Sequence, residues 1–144
     1  MEDHDPIATP AIKIYFPDLI ELKMNLYNNL MFVHIKLEEF DKAIDKGLEA
    51  MQINSNHCKT IFRLGQAYFY KKDLETACTL LSQAIKINKK DEIVRKFYED
   101  ACQLYREEMR NKYKIKNKHE IMESEEDEDE DMIFGSSEEE NFNV

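Results

Sequence analysis

A chain of 144 residues, 42% apolar and 35% charged, is long enough for one small domain with a modest core. Three glycines and three prolines, against abundant Glu, Lys, Leu, Ala and Met, favour helices and argue against a sheet. The net charge of −10 is uneven: residues 119–144 hold 12 of the 30 acidic groups and no Lys or Arg, which leaves 20 basic against 18 acidic groups in residues 1–118, a net of +2. Cys58, Cys78 and Cys102 are an odd number at wide spacing with no CxxC pair, so reduced core thiols in a cytoplasmic or nuclear protein are expected, with no metal site. No apolar run reaches membrane-spanning length, and the acidic N-terminus lacks the basic and apolar regions of a signal peptide. A soluble, unexported protein with no membrane partner is the expectation.

Residues 1–17 contain Pro6, Pro10 and Pro17, each of which disfavours helix in the residue before it, and read as an irregular lead-in. Asp18 followed by Glu21 resembles a capping box. Ile20, Met24, Tyr27, Met31, His34 and Ile35 then recur at helical spacing, which predicts a helix over 18–37. A second helix is predicted over 39–53, with Phe40, Ile44, Leu48 and Met51 on its inner face, and a third over 57–71. Asp73 caps a fourth helix running to Ile87. Asp91 caps a fifth reaching Lys116, with Ile93, Phe97, Ala101, Leu104 and Tyr105 facing inward. The repeat domain is thus placed at 18–118. Residues 119–144 carry dense like charge and few apolar groups, and are expected to be disordered.

Laid over itself with a shift of 34, the chain matches residues 24–57 to 58–91. Leu30/Leu64, Ala43/Ala77, Ala50/Ala84, Ile53/Ile87 and Asn54/Asn88 coincide, and the alanines fall where paired helices must approach closely. This pattern resembles the tetratricopeptide repeat. Leu64, Gly65, Tyr68, Ala77 and Ala84 stand at its signature positions in the second unit, and Leu30, Ala43 and Ala50 in the first. The departures are Met31 in place of a small residue, Gly47 in place of a large one, and Ser55 and Lys89 where proline is common. The resemblance implies an all-α array of helix-turn-helix repeats closed by the fifth helix.

Some members of that family bind the C-terminal Glu-Glu-Val-Asp of heat-shock protein 90 or 70 through a carboxylate clamp. Two adjacent carboxylates need donors in fixed geometry, and an amide, a lysine and an arginine supply them. Asn29, Lys59 and Arg63 occupy the positions at which clamp-type members carry Asn, Lys and Arg. Lys59 and Arg63 are four apart on one helix and share a face, and Asn29 lies 34 before Arg63. They are expected to line a concave groove rather than a core, with Lys36 on the loop side away from it. A further Lys and Asn come from an earlier repeat in the family and have no counterpart here. The flanks, "KLEEFDKA" and "FRLGQA", are similar to the C-terminal repeats of the FK506-binding immunophilins, and "GQA" with "YREEM" most resembles their inactive-isomerase branch, known as shutdown in insects. No isomerase active site can be placed on this chain.

Catalysis finds no support, because His4, His34, His57 and His119 lack a paired acid or nucleophile and no phosphate loop occurs. His34 is expected as a packed core histidine. Arg106, Arg110, Lys112, Lys114, Lys116 and Lys118 form a basic stretch, but Glu107 and Glu108 interrupt it, and an exposed helix end is preferred to a nucleic-acid surface. The acidic tail suggests a second class of function, a scaffold or chaperone for a basic, histone-like partner. Ser124, Ser136 and Ser137 each have an acidic residue three positions later, the pattern acidophilic kinases prefer. The sequence reading is therefore a non-enzymatic adaptor without cofactor, binding a heat-shock protein peptide and a second protein partner.

Overall fold

The computed structural model describes residues 16–142, with side chains through Glu125. Of the expected lead-in at 1–17, residues 1–15 lie outside the described residues, and Phe16 and Pro17 already belong to the start of the first helix. Five helices follow in order: α1 (Pro17–Lys36), α2 (Phe40–Ile53), α3 (Cys58–Tyr70), α4 (Leu74–Ile87) and α5 (Glu92–Phe142). The chain divides into two units at Tyr105/Arg106.

In the first unit the 34-residue repeat is visible in the backbone bonds themselves. At the end of α1 the Leu37, Glu38 and Glu39 amides donate to Val33, Ile35 and His34 carbonyls. At the end of α3 the Lys71, Lys72 and Asp73 amides donate to Ala67, Phe69 and Tyr68, every donor and acceptor moved by 34. Glu38 and Lys72 are the only non-glycine residues of positive φ among those described, at 59° and 73°. Each occupies the left-handed conformation that turns one helix back on the next. The repeat is therefore a repeat of turn geometry as well as of apolar spacing.

Caps explain where most helices begin. The Asp73 carboxylate accepts from the Thr76 amide at 3.3 Å and the Thr76 hydroxyl at 2.8 Å, and Asp91 accepts from the Ile93 and Val94 amides at 3.0 and 3.2 Å, as their sequence positions predict. The proposed capping box at Asp18 does not form. Phe16 is the N-cap of α1, without a side-chain bond, and Pro17 takes the first turn, where its missing N–H costs nothing.

The core runs between the helices in connected clusters. Met31, Ala43, Ile44, Leu64 and Ala67 join α1, α2 and α3, while Ile61, Ala84 and Val94 and Ala77, Leu81 and Ala101 close α3 and α4 against the start of α5. The Phe97 ring meets Phe62, Phe69 and Tyr70 edge-on at centroid distances of 5.6, 5.8 and 6.2 Å.

Two inner faces differ from expectation. On α2, Ala43, Gly47, Ala50 and Ile53 are buried with Ile44, and Leu48 is exposed. On α5, Val94 and Ala101 are buried, whereas Ile93 and Leu104 are exposed. On α2 three small residues make the contact together with Ile44 and Ile53, and on α5 Val94 and Ala101 are buried beside the partly buried Phe97. None of the three cysteines is in a disulfide, and all are half-buried rather than fully in the core.

The second unit is the remainder of α5. The backbone is helical to Phe142, where the sequence reading ends the helix near Lys116 and leaves 119–144 without structure. From Glu92 to Phe134 the sequence contains no glycine or proline, and its Glu, Lys, Arg and Met residues are good helix formers. Lys112 pairs with Glu108 one turn earlier at 2.9 Å. The Ser124 hydroxyl donates to the Ile121 carbonyl at 2.8 Å, while the Ser136 and Ser137 side chains lie outside the described residues.

Candidate functional site

The three residues singled out by spacing lie on α1 and α3, neighbouring helices of the first unit. Asn29 and Lys59 are exposed, and Arg63, one turn beyond Lys59, is half-buried. What holds the two helices in register is one residue away from each. Asn28, fully buried, donates from Nδ2 to the Met24 carbonyl at 2.9 Å and to Thr60 Oγ1 at 3.0 Å. Thr60 in turn meets His57 Nδ1 at 2.9 Å, and the same ring nitrogen accepts from the Thr60 amide, capping α3. A buried polar group so paired fixes geometry, because any slip would leave it unsatisfied. This tie sits directly before Asn29 and directly after Lys59. Burial lowers the His57 pKa from its ordinary value, and the nearby Lys59 charge adds to the shift.

Arg63 extends across to α1, where its guanidinium carbon lies 4.8 Å from the centroid of the Phe32 ring, within cation–π range. Its Nε is buried with no hydrogen-bond partner among the described residues. Burial pulls the guanidinium pKa below its ordinary value, with no carboxylate contributing. Arg63 is thus oriented by an aromatic surface and left with donors to spare. An incoming carboxylate would find a cation already desolvated on one side and held in place.

Two further groups at this site escaped the sequence reading. Phe32 lies three residues after Asn29 and so shares its face of α1, a signal that was present, but a lone exposed aromatic has many commoner explanations. Lys36, expected on the loop side, has its ammonium 5.5 Å from the same Phe32 ring and belongs to the site. Its register, one turn past Phe32, could have indicated this. His34, expected in the core, is only partly buried, and its Nδ1 pairs with Glu39 at 3.0 Å across the α1–α2 turn. It replaces the aromatic of the repeat pattern by bracing the turn.

Elsewhere an open cleft of about 490 Å³ lies at the α4–α5 turn, lined by Lys89, Lys90, Glu92, Arg95, Lys96 and Glu99. Its cations and carboxylates alternate, and the Arg95 guanidinium is engaged by the Lys89 carbonyl at 2.8 Å. Among the described residues no cluster of three His, Cys, Asp or Glu could hold a metal ion, and no helix is long and apolar enough to cross a membrane.

No protein-family profile matches the chain, but individual proteins do. It is 28% identical over 107 residues to peptidyl-prolyl cis-trans isomerase D of Kluyveromyces lactis, covering 65% of this chain and 29% of that protein. It is 36% identical over 56 residues to human peptidyl-prolyl cis-trans isomerase FKBP4, covering 39% of this chain and 12% of that protein. The chain therefore spans less than a third of either relative. Among solved structures it superposes on the C-terminal TPR-containing domain of a Plasmodium falciparum FK506-binding protein with a TM-score of 0.64 and 25% identity, covering 76% of this chain and 68% of that one. It also matches the first TPR of Spaghetti (RPAP3), solved with the HSP90 peptide SRMEEVD, with a TM-score of 0.55, 16% identity and coverage of 65% and 82%. The last likeness concerns the fold.

Proposed function

From the premise that this chain is a tetratricopeptide-repeat domain related to those of the FKBP-type immunophilin co-chaperones, we propose that it is a non-enzymatic adaptor for a heat-shock protein 90 or 70 C-terminal peptide ending in Glu-Glu-Val-Asp. Asn29, Lys59 and Arg63 form the carboxylate clamp. Lys59 supplies a mobile ammonium, Asn29 an amide donor, and Arg63 a planar fork suited to a carboxylate. The supporting observation is the state of Arg63, its guanidinium oriented over Phe32 with no carboxylate contributing to its charge environment. A structural neighbour that was solved holding SRMEEVD fits the same reading.

Only part of the family's clamp is supplied by these residues, so affinity should be below that of a complete clamp. Calorimetric titration with an SRMEEVD peptide and with its C-terminal amide tests the proposal. The free acid should bind and the amide should not, since the amide removes the terminal charge. Arg63→Ala should weaken the acid by about 1 to 3 kcal/mol, the range for removing one partner of a charge-assisted bond. Lys46→Ala, on α2 and paired with Glu49, is the control and should change nothing. Equal binding of acid and amide, or equal loss from the control, would overturn the assignment.

A further inference from the structure

Helix α1 is apolar on two sides. Its inner side buries Met24, Asn28 and Met31. On the opposite side Leu19, Leu22, Leu26, Leu30, Val33 and Leu37 are 43–62% exposed, at successive spacings of 3, 4, 4, 3 and 4. That spacing is one continuous stripe about 27 Å long at a helical rise of ~1.5 Å per residue. The 34-residue repeat identifies what such a face is built to do. Moved by 34, Leu26, Leu30 and Val33 become Thr60, Leu64 and Ala67, each 0 or 1% exposed. Leu64 is covered by the α1–α2 hairpin, its side chain meeting Gly47. The α1 stripe is thus a helix-packing face without a helix on it among the described residues.

We propose that a second copy of this chain covers it, the two α1 helices packing antiparallel about a two-fold axis between Leu26 and Leu30. The stripe is nearly self-complementary under that operation: Leu19 meets Leu37, Leu22 meets Val33, and Leu26 meets Leu30 of the other copy. An isologous contact requires this kind of pattern. The charges agree. Exposed Asp18 and Lys36 are 18 residues apart, five full turns, and so lie on one flank of the stripe. Antiparallel packing sets Asp18 of one copy beside Lys36 of the other, twice, whereas parallel packing would carry the two flanks to opposite sides of the seam and leave both pairs unmade. At the centre of that flank uncharged Asn25 of one copy faces Asn29 of the other, so the dimer and the proposed peptide clamp compete for Asn29. A single pair of helices falls below the ~800 Å² per partner of a standard interface, so a reversible, concentration-dependent dimer is expected.

Sedimentation equilibrium of the full chain from about 5 to 500 μM should show the mass rising toward twice that of the monomer. Replacing both Leu26 and Leu30 with Asp should raise the midpoint at least tenfold, with circular dichroism confirming an unchanged fold. Asp18→Lys alone should raise it several-fold, and adding Lys36→Asp should return it to within about twofold of the wild type. That charge swap changes only exposed residues and carries the test even if the leucine variants misfold. A chain monomeric across the range, or a dimer indifferent to both sets of changes, would overturn the proposal. So would a chain that dimerises only after residues 1–15 are removed, which would put that segment on the stripe instead.

Discussion

The terminal methyl carbon of Met31 lies 2.7 Å from the point where a β-carbon on Gly47 would stand. They are two of the first repeat's departures from the expected pattern, and they share one space with the Leu64 side chain, which comes closer still to the same point. In the second repeat the equivalent pair is reversed, with Gly65 2.8 Å, measured to its notional β-carbon, from the Leu81 side chain. One repeat puts the large side chain on its first helix and the other on its second, and the space between the helices is filled either way.

Stability should reveal this exchange. Gly47→Ala should lose about 1 kcal/mol net, since overpacking of ~1 to 3 kcal/mol outweighs the ~1 kcal/mol gained in helix propensity. Met31→Ala should lose about 2 to 5 kcal/mol. Urea unfolding of the double variant Met31→Ala with Gly47→Ala should lose less than the sum of the two single losses, with a coupling of about 0.5 to 3 kcal/mol, because removing Met31 relieves its share of the crowding at Gly47 while that of Leu64 remains. Strict additivity would show that the two sites do not share one space.

Phe32 should act on peptide binding through Arg63. Phe32→Ala is expected to weaken the free-acid peptide by about 0.5 to 2 kcal/mol, the range of a cation–π contact, while Phe32→Leu, which keeps apolar bulk without the ring quadrupole, should recover little. In the Arg63→Ala background Phe32→Ala should cost nothing further. A full Phe32 effect without Arg63 would mean that the ring touches the peptide itself.

The His57 cap gives a pH dependence of defined sign. Its pKa is lowered by burial and by Lys59, so the folded state favours the neutral ring that accepts from the Thr60 amide. The cap's contribution is complete above the unfolded pKa of about 6.5 and declines as pH falls from there through the lower folded value. The melting temperature should drop between pH 7.5 and 5. His57→Asn, a capping residue that does not titrate, should show a smaller drop. An equal drop in both would assign the dependence to other groups.

The acidic end of α5 should respond to pH in the opposite direction. Residues 119–142 carry 12 carboxylates and no Lys or Arg, and like charges three and four apart on a helix repel. A peptide of these residues should gain ellipticity at 222 nm as pH falls below about 4.5 and the carboxylates are neutralised. Helicity that is unchanged by acid would mean that charge does not limit this segment.

Much of the fold was legible in the sequence because it rests on local rules. Apolar spacing set four of the five helices to within two residues, and Asp73 and Asp91 marked two starts because a carboxylate there satisfies amides that the helix leaves free. The 34-residue period carried the turns with it, down to the positive φ at Glu38 and Lys72. Register alone likewise placed Asn29 and Lys59 outside the core.

Tertiary structure decided what depends on a neighbour. Leu48 and Ile93 look like core residues by period but are exposed, since the close approach of the helices selects Ala43, Gly47, Ala50 and Val94 instead. Arg63 could be read as a clamp candidate from its position, but only the packing of α1 on α3 seats it on Phe32 and leaves its Nε unbonded. Leu30 and Leu64 show the division most directly. They are the same residue at the same repeat position, yet one is 43% exposed and the other 1%, because α2 covers α3 while no described helix covers the outer face of α1. Sequence sets which side of a helix is apolar; burial belongs to the pair of surfaces, and only the assembled chain supplies the second.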